Sequence, residues 1–279
     1  MKSIPRCDIS EPATNMISNQ SRSAIEILRM LPTATLSFAD YLSMLPPIRP
    51  RYYSISSSPL EGSQTCTLTY SVLENTVAQA DGAAYTFRGA CSTFLAEMRP
   101  NDRVYVSVRS NPGNFHLPQD SSIPIVMVCA GSGLAPFLGF VKERAHLQAS
   151  GAKIAPALLF IGCRHPDRDM LYASELRELA KSSNTTLYYA FSQAADRSEG
   201  CKYVQDRLLR EGAEVLNLVG SMENKGKLFV CGDTRVLEGV TGAMKQAYAQ
   251  MKKSDRVRTD QWWNSLRSDR ERYACEFFD

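Results

Sequence analysis

The chain has 279 residues, enough for about two domains of roughly 150 residues each. Hydrophobic residues make up 44% and charged residues 22%, ordinary for a folded globular protein, and a net charge of +3 is too small to point to nucleic acid as a partner. The eight cysteines are scattered without CxxC spacing and the three histidines stand far apart, which argues against a metal site and reads as reduced thiols in a cytoplasmic protein.

Residues 1–21 are polar and without hydrophobic period, and are expected to form a disordered lead-in; they lack the apolar core of a signal peptide. No run in the chain approaches the ~18 apolar residues of a membrane helix, so no membrane span is expected. Residues 22–31 and 37–45 carry apolar residues at helical spacing, with Ser37 as a cap for the second piece. Pro46, Pro47 and Pro50 then stop any helix.

From Arg51 the texture changes. RYYSISSS, TCTLTYSVL and RVYVSVR (103–109) alternate and are rich in Tyr, Thr, Ser and Val, so residues 51–119 read as a small antiparallel β-barrel with a short helix at 92–98. After Pro118 come four continuous apolar strands, at 123–130, 156–163, 186–192 and 227–233, each followed by a helical segment. Repeated βα units of this kind mean a doubly wound parallel sheet. The mixed-charge stretch Lys252–Arg256 reads as a solvated helix face.

In such sheets ligands sit at the carboxyl ends of the strands. The first βα turn is Gly131-Ser132-Gly133, followed by Pro136 in the first helical turn. Two glycines allow a tight turn and close approach of backbone to a phosphate, and the helix N-terminus offers free N–H groups; a purely structural turn fits the same residues. Arg164, after Cys163, and Lys202 are cations able to pair with a phosphate. Cys231, Gly232 and Asp233 mark the last strand end, where Cys231 is either a small buried hydrophobe or part of a site.

RPRYYSISSSP (49–59), PIVMVCAGSGLAPFLGFVKERA (124–145), LLFIGCRHPDRDMLYASEL (158–176), YVQDRL (203–208) and LFVCGD (228–233) together resemble the diflavin reductase family of the NADPH–cytochrome P-450 reductase type. The spelling is most similar to the reductase portion of self-sufficient fatty-acid hydroxylases, in which haem and reductase domains are fused. The resemblance implies an FAD-binding barrel and an NADP-binding α/β domain of the ferredoxin-NADP reductase kind. The expected layout is a remnant of a helical connecting domain at 22–48, the FAD domain at 49–119 and the NADP domain at 120–279.

It also implies roles. FAD would be held by Arg51, Tyr53, Ser54, Thr69, Tyr70 and Ser71, with Gly89, Ala90, Cys91 and Ser92 as a phosphate loop and Phe278 covering the flavin ring. NADPH would be held by Gly131, Ser132, Gly133, Cys163, Arg164, Ser192, Gln193, Lys202, Tyr203, Gln205 and Asp233. The catalytic set would be Ser54, Cys231, Glu276 and Phe278. Hydride would pass from NADPH to FAD, and electrons would leave to an FMN-domain or haem protein acting in trans, since the FMN and haem domains of the family are not found in this sequence.

The chain departs from the family at Glu276 and Phe278, where Asp and often Trp stand, and at Gln193, where an arginine usually grips the 2′-phosphate. Residues 81–94 match loosely. Two other readings are a sulfite-reductase-like flavoprotein component and a non-catalytic remnant that only binds nucleotide.

Overall fold

The computed structural model describes residues 24–31, 33, 35–62, 64–78, 84–110, 114–221 and 225–278; the expected lead-in at 1–21 lies outside them. Residues 1–51 and 52–279 form two separate compact units.

The first unit carries two short helices, α1 (Ala24–Met30) and α2 (Phe38–Met44). Ser37 caps α2 as expected, its Oγ accepting the Asp40 N–H at 3.1 Å. That bond satisfies one of the donors a helix start leaves open.

The second unit begins with hydroxyl-rich segments. Ile55 and Leu68 form a single antiparallel bridge. Around it the Ser56 and Thr67 side chains hydrogen-bond at 3.0 Å, Thr69 Oγ1 donates to Ser56 Oγ at 3.0 Å, and the Ser56 N–H donates to the Thr67 carbonyl at 2.8 Å. Side-chain hydroxyls thus supply bonds that a regular ladder would draw from the backbone. The one antiparallel sheet among the described residues pairs β1 (Glu74–Ala78) with β2 (Ala84–Arg88), followed by α3 (Ala90–Glu97). The strand expected at 103–109 is not formed: Tyr105, Val106 and Val108 stay exposed and the segment lies outside any strand. Alternation gives a strand only where a neighbouring strand completes the ladder.

The parallel sheet has five strands in the order β5-β4-β3-β6-β7: β3 (Ile125–Ala130), β4 (Ala157–Cys163), β5 (Thr185–Phe191), β6 (Lys227–Gly232) and β7 (Tyr273–Phe277). The first four are the predicted strands; β7 was not anticipated. β3 is buried on both faces. Ile125, Met127 and Cys129 point to one side, against α4 (Ala135–Ala149) and α5 (Ala173–Ser182). Val126 and Val128 point to the other, against α6 (Val204–Arg210), α7 (Gly212–Val219), α8 (Thr234–Lys252) and α9 (Arg256–Ser268), whose Trp263 is fully buried. Burial of each such side chain contributes about 1.5–3 kcal/mol.

The stretch Lys252–Arg256 is a junction, not a helix face. Lys253 ends α8 in the left-handed region at φ +49°, and Asp255 caps α9 by accepting the Arg258 N–H. Among the described residues no helix is long and apolar enough to cross a membrane, and no cluster of His, Cys, Asp or Glu is placed to hold a metal.

Candidate active site

β3, the first strand of the sheet, lies between β4 and β6, so chain order reverses at the β3–β6 gap. That reversal opens a crevice beyond the strand ends, where ligands of such sheets bind. A single 3-10 turn, Gly131–Leu134, closes the end of β3. A Cβ on Gly133 would lie 2.4 Å from the Cys231 carbonyl oxygen, so only glycine lets the turn rest on the end of β6. Gly131 sits at φ +55° with nothing within 4 Å of its would-be Cβ, leaving open backbone beside the crevice. The predicted turn is therefore structurally demanding at Gly133 and accessible at Gly131.

The β6–β7 pairing builds the rest. Its register sets Glu276 beside Cys231 and Phe277 beside Gly232. Ser54, 222 residues earlier in sequence, donates its Oγ–H to Glu276 Oε2 at 2.9 Å. Burial, then the Glu276 carboxylate and then Cys275, push the Cys231 thiol well above its ordinary value, so it stays protonated at neutral pH. Phe278 follows β7, exposed, with its N–H on the Gly232 carbonyl at 3.3 Å. Three expected catalytic residues, Ser54, Cys231 and Glu276, thus meet, with Phe278 at their edge.

The flavin-side residues spread along the hydroxyl-rich segments. Tyr53 and Tyr70 meet edge to face with ring centroids 5.6 Å apart, and Thr69 Oγ1 hydrogen-bonds Tyr172 Oη at 2.9 Å. Ser71 is exposed. Arg51 ends the first unit, its guanidinium on the Arg49 carbonyl at 2.7 Å. Gly89 precedes α3 with Ala90 and Cys91 in its first turn. The Ser92 hydroxyl is turned inward: it accepts the Leu73 N–H at 3.1 Å and donates to the Gly89 carbonyl at 3.3 Å. In this arrangement the Ser92 hydroxyl shapes the loop.

The nucleotide-side residues lie on the loops after β4, β5 and β6. Ser192 and Gln193 donate their N–H groups to the Cys163 and Arg164 carbonyls at 3.0 and 2.8 Å, tying the first two loops together. Arg164 is largely exposed but oriented by Asp169, which accepts its Nε at 2.9 Å and its N–H at 3.0 Å. Burial works against the Asp169 carboxylate, but bonds from the His165 N–H and from Arg164 prevail and hold it ionised below the usual range. A further ion pair, Arg197 with Asp167, spans the same two loops. Lys202 stands 5.4 Å over the Tyr203 ring at the start of α6, and both backbone N–H groups are taken by Asp206. The Gln205 side chain packs on Gly239 of α8, where a Cβ would come within 2.8 Å of it. Asp233 caps α8, accepting the Val236 N–H at 3.0 Å, and pairs with Arg235.

Sequence reasoning assigned no role to Asp169, which orients Arg164, or to Tyr172 and Lys142, which bind the flavin-side segment to α4 and α5. Asp169 and Tyr172 both fall in the quoted stretch CRHPDRDMLYASEL. A carboxylate five residues from the cation expected to meet a phosphate was the available signal.

A glycine cradle at the switch point, cations and an exposed tyrosine on neighbouring loops, and paired aromatics beside a Ser–Glu–Cys set define a flavin- and nicotinamide-dependent oxidoreductase. The glycine cradle and the donor set fit both groups. Comparison with known proteins agrees: residues 9–94 match the FAD binding domain family and residues 127–242 the oxidoreductase NAD-binding domain family. The chain is 40% identical over 264 residues to a bifunctional cytochrome P450/NADPH–P450 reductase of Acremonium egyptiacum, covering 94% of this chain and 24% of the relative. It is 43% identical over 252 residues to a self-sufficient cytochrome P450 monooxygenase of Phanerodontia chrysosporium, covering 90% and 23%. It is 39% identical over 269 residues to a bifunctional cytochrome P450/NADPH–P450 reductase of Fusarium oxysporum, covering 94% and 24%. The chain spans about a quarter of the length of these curated relatives. It carries an FAD-binding domain and an oxidoreductase NAD-binding domain, and aligns with the reductase portion of these fused P450 enzymes.

Proposed function

We propose that this chain oxidises NADPH at the β3–β6 crevice and passes the electrons through FAD to an FMN-domain or haem protein acting in trans. The observation that carries the reading is the Ser54–Glu276 hydrogen bond at 2.9 Å, made by a carboxylate in register with Cys231. A bound FAD would supply the hydride-accepting and electron-relaying chemistry.

The chain's residues do the positioning. The glycine turn and Arg164 hold the dinucleotide phosphates, while Lys202, Ser192 and Tyr203 hold the adenosine end. Glu276 orients the Ser54 hydroxyl, and that hydroxyl is the group placed to hydrogen-bond the flavin at its reactive nitrogen. Cys231, kept as a thiol, packs against the nicotinamide without adding charge. Phe278 shields the flavin from water until nicotinamide displaces it. Glu in place of Asp lengthens the side chain by one methylene, and here it still reaches Ser54.

The test is acceptor choice. With NADPH the FAD-loaded chain is expected to reduce ferricyanide rapidly and cytochrome c slowly. An added FMN-domain protein should raise the cytochrome c rate, and salt should lower it if charge steers the encounter. Rapid reduction of cytochrome c without FMN would overturn the proposed route.

A further inference from the structure

Tyr172 belongs to the nucleotide-side loop yet is bonded to the flavin-side segment. It stands in the left-handed region at φ +53°, immediately before α5, and its carbonyl accepts the Leu176 N–H at 2.8 Å. A tyrosine rarely adopts this backbone conformation, so neighbouring contacts must impose it. Its hydroxyl meets Thr69 Oγ1 at 2.9 Å, although the ring is partly exposed. Thr69 in turn bonds Ser56, two residues after Ser54, and precedes Tyr70, which packs on Tyr53. One hydroxyl therefore reaches Thr69 directly and, through it, Ser56, in both segments that carry the expected flavin contacts.

The same seam has a second anchor. Lys142 of α4, its side chain mostly buried, pairs with Glu61 at 3.3 Å and with Glu175 of α5 at 3.0 Å. Burial pulls the Lys142 ammonium's pKa down, and the bonds to Glu175 and Glu61 more than reverse this. Glu61 also accepts the Ser58 N–H at 3.0 Å, and a Cβ on Gly139 would lie 3.1 Å from the Ser57 carbonyl. The loop at 57–61 is thus fixed at its own anchor, and the Thr69–Tyr70 segment is held by Ser56 on one side and by Tyr172 from the nucleotide side.

We infer that Tyr172 is a positioning residue for hydride transfer. From the nucleotide side it fixes Thr69, and through Thr69 the Thr69-Tyr70-Ser71 segment, so that the flavin is held at a set distance from the nicotinamide crevice. The inference rests on the reading of Thr69 and Tyr70 as flavin contacts. Reactive distance matters steeply in such a step, so a small shift in the segment shows in rate before it shows in binding.

The experiment compares Tyr172→Phe, Thr69→Val and the double variant in the full chain loaded with FAD. Tyr172→Phe removes one oxygen and keeps the ring. The limiting rate of flavin reduction at saturating NADPH is expected to fall about twofold to tenfold, the worth of one hydrogen bond. FAD content and NADP⁺ affinity should stay at wild-type levels. Because Tyr172 acts through Thr69, the double variant should be no slower than Thr69→Val alone. An unchanged limiting rate in Tyr172→Phe, losses that multiply in the double variant, or loss of FAD from Tyr172→Phe would each overturn the inference. Failure of the wild-type chain to take up FAD or to be reduced would instead strike the underlying functional reading.

Discussion

Gly133→Ala perturbs the centre of the site by one methyl group. The added Cβ would lie 2.4 Å from the Cys231 carbonyl oxygen, where real Cβ atoms essentially never come within 3.0 Å. The shortfall of 0.6 Å must be taken up by backbone, because the neighbour is a carbonyl and not the end of a flexible side chain. That carbonyl belongs to β6, which is hydrogen-bonded to β3 on one side and β7 on the other. Overpacking of this kind costs about 1–3 kcal/mol. For a unit of this size each kcal/mol lowers Tm by about 2–4 °C, so a fall of roughly 2–12 °C is expected in thermal melts. The displaced residue is Cys231 itself, so NADPH-driven flavin reduction should fall about tenfold or more in stopped flow. Gly131→Ala is the matched comparison: its cost of about 1–2 kcal/mol comes from the left-handed backbone, with no clash against β6. Gly133→Ala with the melting temperature and reduction rate of the wild type would refute the close packing on which the site is built.

Three further outcomes follow from the same geometry. Glu276→Gln weakens and Glu276→Ala removes the partner of Ser54; a charge-assisted bond is worth about 1.5–3 kcal/mol, so Glu276→Ala should slow flavin reduction about tenfold to a hundredfold, with Glu276→Gln intermediate. Gln193→Arg adds a guanidinium on an exposed loop between Ser192 and the adenosine-side residues, and should widen the ratio of NADPH to NADH specificity constants by a similar factor; no change would mean position 193 does not meet the 2′-phosphate. The raised Cys231 thiol is protonated below its folded pKa and becomes reactive only as pH climbs through that value, so at mildly alkaline pH iodoacetamide should label exposed Cys66 and spare Cys231, as read by peptide mass spectrometry.

The parallel sheet was legible because β3, β4 and β6 are buried along nearly their whole length and so appear as apolar runs, with β5 marked by its aromatic residues. Ser37 announced α2 through its capping chemistry. β7 was not legible: Tyr-Ala-Cys-Glu-Phe has neither an apolar run nor a regular alternation, and it is a strand because β6 presents an open edge. α7 and α9 were not legible as separate elements: α7 follows α6 after the single residue Glu211, and α9 follows α8 across the short charged junction at Lys253–Asp255. The expected strand at 103–109 had the right alternation and no ladder to join. At the site, the glycine turn and the cations declared themselves by type and by position after strands. The Ser54–Glu276 bond could not be read from spacing, because parallel pairing of the last strand is what closes a gap of 222 residues. Only the resemblance placed both residues in one site, and the geometry brings them together.

The most direct measurement is anaerobic mixing of the FAD-loaded chain with NADPH while the flavin's visible absorption is followed. Rapid and complete bleaching, slower with NADH, is the predicted result. A folded chain that retains FAD but leaves it oxidised in excess NADPH would contradict the account.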